Sequence, residues 1–72
     1  MPSWDDFETW LKRNGWKKLR EGRDTIYEKT DSNGNVRRTR VSKGSGEIGK
    51  GLFRRILKQQ LGIDKDTYDR LK

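Results

Sequence analysis

The chain of 72 residues has no cysteine, no histidine and a single proline, and only 28% of it is hydrophobic. Without cysteine there is no disulfide, and without cysteine or histidine the usual zinc ligands are missing. A chain this short draws only roughly 3 to 5 kcal/mol from one core, so stability has to come from packing alone. Nowhere do 18 apolar residues follow one another, which excludes a hydrophobic span by length. The first ten residues carry Asp5, Asp6 and Glu8 with no base, unlike a secretory signal. Together with the missing cysteines, this points to a soluble, cytoplasmic protein that forms one domain over residues 1–72.

What is present is unevenly placed. Three Trp, two Phe and two Tyr concentrate the apolar supply and favour a folded chain over a disordered one. Eighteen basic residues outnumber eleven acidic ones. Residues 36–58 hold Arg37, Arg38, Arg40, Lys43, Lys50, Arg54, Arg55 and Lys58 against Glu47 alone, so this stretch carries the whole net charge of +7. Charge gathered in one stretch points to a polyanion, nucleic acid first, because solubility is served equally well by scattered lysines. A solvated face or an acidic protein partner would use the same patch.

Apolar spacing gives the elements. Ser3 as N-cap, then Trp4, Phe7, Trp10 and Leu11, with Asn14-Gly15 as a stop, predict an amphipathic helix. Its acids come first and Lys12 and Arg13 last, which suits the helix dipole. Strand-favouring residues and two turns, Glu21-Gly22-Arg23 and Asp31 to Asn35, predict antiparallel strands over 16–20, 24–30 and 36–42. In the third strand Arg38 and Arg40 share one face and Arg37, Thr39 and Val41 the other, and the alternation does not say which is inside. Gly44-Ser45-Gly46 reads as a joint. Leu52, Phe53, Ile56, Leu57 and Leu61 predict a second helix closed by Gly62. Asp64 caps a short third helix over 65–71, with Ile63 and Tyr68 in staple relation. The result is an α+β fold with a three-stranded antiparallel sheet, two main helices on one face and a short C-terminal helix.

Four features bear on chemistry. Lys50, Arg54 and Lys58 recur every four residues opposite the apolar stripe, with Arg55 beside them. Like charges so spaced repel by a few tenths of a kcal/mol each, a cost that an anion lying across them removes. Residues 44–51 are rich in glycine yet lack the spacing of a nucleotide-binding loop, although backbone amides there could meet one phosphate. Tyr27 with Arg38 or Arg40 would suit base stacking on the open sheet face, while a strand tyrosine equally suits the core. Acid–base candidates are few. Asp24 could serve as a base with arginines as phosphate clamps, or it could simply pair with Arg23 or Arg20. No metal site and no small-molecule cofactor is expected.

Asn14-Gly15-Trp16, Arg20-Glu21-Gly22 and above all the run from Ser45-Gly46-Glu47-Ile48-Gly49-Lys50-Gly51 through Leu52-Phe53-Arg54-Arg55-Ile56-Leu57-Lys58-Gln59 resemble the HicA toxins, over nearly the whole chain. The resemblance implies a fold like the double-stranded-RNA-binding domain (α-β-β-β-α). It also implies a metal-independent endoribonuclease acting on mRNA and neutralised by a HicB antitoxin. The family places a catalytic His on the second strand, shortly after the glycine matching Gly22. Here Arg23-Asp24-Thr25 stands in that place, and Asp24 is the natural match. The leading expectation is a HicA-like toxin domain that holds RNA on its basic surface, with cleavage impaired or altered. The alternatives are a non-catalytic RNA-binding or partner-binding module on the same fold, and a purely structural protein.

Overall fold

A computed structural model describes residues 2–43 and 46–72, so Gly44 and Ser45 of the glycine joint lie outside the described residues. Helix α1 spans Trp4–Arg13. The Ser3 hydroxyl accepts the Asp6 N–H at 3.1 Å and satisfies one of the free amides of the first turn. At the other end the Asn14 amide donates to the Trp10 carbonyl at 2.9 Å, and Gly15 turns the chain at φ +84°. Phe7, Trp10 and Leu11 form the buried stripe, as their three- and four-residue spacing predicts.

Strands β1 (Lys17–Arg20), β2 (Asp24–Thr30) and β3 (Val36–Ser42) pair antiparallel in that order. The β2–β3 turn is built by Asp31, whose carboxylate accepts the N–H groups of Asn33 and Asn35 at 2.9 Å each. Gly34 supplies the left-handed step at φ +85°. This turn fixes the register: Asp24 lies opposite Ser42, Ile26 opposite Arg40 and Glu28 opposite Arg38. It also decides which face is inside. Thr25, Tyr27, Thr39 and Val41 are buried under the helices, whereas Asp24, Ile26, Glu28, Arg38 and Arg40 share the open face. β1 is exposed throughout and its pairing is irregular between Lys18 and Arg20.

Before the second helix the chain is stitched to the start of α1: Ile48 N–H donates to the Pro2 carbonyl at 2.9 Å and Trp4 N–H to the Gly46 carbonyl at 3.2 Å. Ile48 is fully buried. In the described part of this glycine-rich segment the Ile48 N–H and the Gly46 carbonyl are thus committed to structure. Helix α2 runs over Lys50–Arg55 and continues without a break as a π-helix over Ile56–Leu61, where the sequence predicts a plain α-helix. Four residues are slightly more than one α turn and slightly less than one π turn, so the change partly cancels the sideways drift from Lys50 through Arg54 to Lys58. Gly62 ends the helix at φ +72°, and the Ile63 N–H reaches back to the Leu57 carbonyl at 3.0 Å.

Helix α3 covers Lys65–Arg70, one residue short of the predicted end, with Asp64 accepting the Thr67 N–H at 2.8 Å. An aromatic cluster ties α3 to the rest: Tyr68 stacks on Trp10 with centroids 4.8 Å apart and meets Phe53 edge-on at 5.0 Å. Such pairs contribute about 0.5–1.5 kcal/mol each beyond their buried area. The Trp10 indole N–H donates to the Tyr68 carbonyl at 3.0 Å. Trp16 is buried as well, and Trp4 packs half-buried against the core. Among the described residues no helix is long and apolar enough to cross a membrane.

Candidate nucleic-acid interface

Seven of the eight basic residues of the charged stretch divide into two groups, and Arg37 stands apart from both. On the open sheet face, Arg38 meets Glu28 directly across the strand pair at 2.8 Å. Arg40 Nη1 lies 3.5 Å from the Asp24 carboxylate. Asp24 is thus paired with Arg40, from the opposite strand, rather than with Arg20 or Arg23. Lys43 sits 3.9 Å from Glu21. Lys18 holds that same glutamate at 2.8 Å, and the hydrogen bond and charge of Lys18, then the charge of Lys43, keep its carboxyl below the usual range. Exposed pairs of this kind add little to stability, but each cancels a charge that an anion would otherwise meet.

Arg37 departs from the expected role. It shares the inner parity of Thr39 and Val41, so its side chain runs to the edge of the helical layer. There it lies 3.5 Å from Asp31, with its guanidinium so close over Gly62 that a Cβ on that glycine would come within 2.7 Å. A cation at the end of the second helix is also favoured by the helix dipole. Arg37 therefore braces the β2–β3 turn against the helix end.

Tyr27 takes the core alternative and not the base-stacking one. Its ring is 1% exposed, on the face opposite Arg38 and Arg40, where it cannot stack a base beside them. Its hydroxyl donates to Glu8 at 2.6 Å, and burial followed by that hydrogen bond pushes its pKa well above the usual tyrosine value. The strand alternation shared with Thr25 was the available signal.

On the helical layer the picture reverses. Lys50, Arg54, Arg55 and Lys58 are all exposed. Among the described residues none of the four has a carboxylate within 4.0 Å. They form a row on α2 and its π-helical continuation, facing away from buried Phe53, Ile56 and Leu57.

Asp24, half-buried at the start of β2, lies on the open sheet face, not on this row. From the β3 end opposite Asp24 the chain leads into α2, and the helix then runs back along β3, with Gln60 at Thr39 and Gly62 at Arg37. No three carboxylates among the described residues gather in metal-binding geometry.

One further feature has no signal in the sequence pattern, a groove between α1, α2 and α3 floored by Trp10, Phe53 and Tyr68. Its residues are scattered along the chain, and only the packing of α3 brings them together.

In comparison with known proteins, the family model described as the HicA toxin of bacterial toxin-antitoxin systems matches residues 4–63. No curated protein and no solved structure matches the chain. The matched span holds α1, the whole sheet and the second helix to its π-helical end, and the chain therefore belongs to the HicA toxin family.

Proposed function

We propose that the chain is the toxin of a toxin–antitoxin pair and that it acts on RNA, with the outer face of the second helix as the main phosphate-binding surface. The observation that carries this reading is the row of Lys50, Arg54, Arg55 and Lys58, exposed and without carboxylate partners among the described residues. Each like-charged pair in such a row costs a few tenths of a kcal/mol, which a phosphate chain lying across it relieves. Arg38, Arg40 and Lys43 extend the basic surface onto the sheet, in weaker form because acids already face them.

Asp24 occupies the place that the family resemblance gives to a catalytic His. Attack by the ribose 2′-hydroxyl needs a base beside that oxygen and positive charge beside the phosphate, and here a carboxylate and Arg40 stand together. A carboxylate is a far weaker base than imidazole at neutral pH, so cleavage is slow and binding dominates. A second reading, an RNA-binding module without catalysis, draws on the same pair: Asp24 engaged by Arg40 serves equally as a structural contact. In either case a HicB-type antitoxin is the expected neutralising partner.

Titration of labelled single-stranded RNA with the purified protein tests the proposal. Four phosphate contacts predict that log K falls with log salt at a slope of about −3, from roughly 0.7 per contact. Binding that does not respond to salt, or no binding at low salt, refutes it.

A further inference from the structure

The groove between α1, α2 and α3 encloses about 920 Å³. Its floor is aromatic, and one floor residue has unused hydrogen-bonding capacity. Tyr68 is 2% exposed, yet among the described residues its hydroxyl makes no hydrogen bond, and no fully shielded side-chain polar atom lacks a partner. The hydroxyl is therefore the part of Tyr68 that reaches the groove. Burial and the nearby Asp6 and Asp69 push its pKa up to about 12, so at neutral pH it is a proton donor without an acceptor.

The walls have a definite charge pattern. Lys65 and Lys72 are both held by Asp69, at 3.0 and 3.7 Å. On the facing walls, among the described residues, Arg13, Lys50 and Arg54 have no carboxylate within 4.0 Å and Asp6 has no cation within that distance. Among the described residues the groove thus offers an apolar floor, one hydroxyl donor, the Asp6 carboxylate and the cations of Arg13, Lys50 and Arg54.

We infer that this groove is the docking site for an acidic peptide segment with one apolar anchor residue, presented by a protein partner. A peptide fits the whole pattern. Its anchor covers Phe53 and the edges of Trp10 and Tyr68, and a backbone carbonyl accepts from the Tyr68 hydroxyl. A backbone N–H meets Asp6, and acidic side chains meet Arg13, Lys50 and Arg54.

RNA fits it less well. The faces of Trp10 and Tyr68 are stacked on each other at 4.8 Å and closed to a base, and a phosphate chain has no N–H to offer Asp6, which a peptide backbone does. Lys50 and Arg54 belong both to this groove and to the row proposed for RNA, so a bound segment displaces RNA. The displacement rests on the RNA reading given above, whereas the groove does not.

A phage-displayed library of random peptides, panned on the full chain, tests this, with a Thr9→Trp variant as the blocked control. Thr9 is an exposed helical position on the groove wall, so circular dichroism of the variant should remain unchanged. The expected result is enrichment of peptides with several acidic residues around one aromatic or aliphatic residue, and loss of their binding to Thr9→Trp.

A selected peptide, synthesised alone, should shift the Trp10 indole N–H resonance and weaken by about tenfold on Tyr68→Phe, the usual effect of losing one hydrogen bond to a charged or carbonyl acceptor. Arg55→Gln with Lys58→Gln lies outside the groove and should weaken RNA while leaving the peptide unaffected. Absence of enrichment, enrichment of basic or wholly polar peptides, or equal binding to Thr9→Trp overturns the inference. So does a shift of the Trp10 indole by single-stranded RNA in place of peptide. Peptide binding with no RNA binding would leave the groove standing and remove the RNA reading.

Discussion

Arg38 and Lys58 are both exposed cations of the same basic stretch, one on the sheet and one on the second helix. Arg38 points across the strand pair at Glu28, 2.8 Å away, and Arg40 two residues later does the same with Asp24 at 3.5 Å. Lys58 and its neighbours Lys50, Arg54 and Arg55 face solvent with no acid beside them among the described residues. Equal formal charge thus has unequal value to an anion. A sheet arginine must give up or share a partner before it meets a phosphate, while a helix cation has only water to lose. Net charge counted along a sequence cannot make this distinction, because it is set by register.

The comparison breaks most sharply at Asp24, the acid that holds Arg40. Replacing it with His releases the arginine and supplies an imidazole where the family resemblance places one. General acid–base catalysis is typically worth 10²- to 10⁴-fold, and RNA cleavage should rise by about that range in Asp24→His. Asp24→Ala should fall to background. Cleavage of labelled RNA in the presence of EDTA measures both, and equal activity in wild type and Asp24→Ala would remove Asp24 from any mechanism.

The next largest effect concerns the cation that belongs to neither group. Gly62→Ala places a Cβ at φ +72°, against the Arg37 guanidinium. It should lower stability by about 1 kcal/mol or more, seen as a reduced melting temperature, with RNA affinity unchanged. A loss of RNA affinity with unchanged melting would return Arg37 to the binding surface.

Smallest are the pH effects. The N–H of Asn35 first, then that of Asn33 and the Arg37 side chain, hold the Asp31 carboxyl below the usual carboxylate range. A depressed folded value gives stability that is complete above the unfolded value near ~4 and lost as pH falls through the folded one. Amide exchange in the β2–β3 turn should therefore accelerate in acid, and less so in Asp31→Asn. At the other extreme, burial raises Tyr27 and Tyr68, the latter to about 12. Stability from these groups is complete below the ordinary tyrosine value near ~10 and is lost as pH rises through the folded values. Tyrosinate absorbance should appear together with unfolding, not ahead of it.

Much of the fold is legible in the sequence because its signals are local. Ser3, Asn14-Gly15, Asp31 to Asn35, Gly62 and Asp64 each cap or turn the chain by contacts within about five residues, and each does so where the pattern predicts. The site is less legible, although part of it was within reach. An Asn-Gly turn centred near residues 33–34 sets Glu28 opposite Arg38 and Tyr27 opposite Thr39, which already pairs the first arginine and buries the tyrosine. The π-helical stretch and the groove under α3 have no such local signal. They arise from packing of distant segments, seen in the Thr39 hydroxyl donating to Gln60 and in the stack of Tyr68 on Trp10.

The central claim is that the helix row, not the sheet face, carries the charge that RNA meets. The salt dependence of single-stranded RNA binding tests it directly, compared among wild type, the triple variant Lys50→Gln, Arg54→Gln, Lys58→Gln and the double variant Arg38→Gln, Arg40→Gln. Losing three contacts should reduce the slope of log K against log salt by about 2, with a similar loss for every RNA sequence, while the double variant changes it by less than about 1. An equal or larger reduction in the double variant, or an unchanged slope in the triple variant, would contradict it.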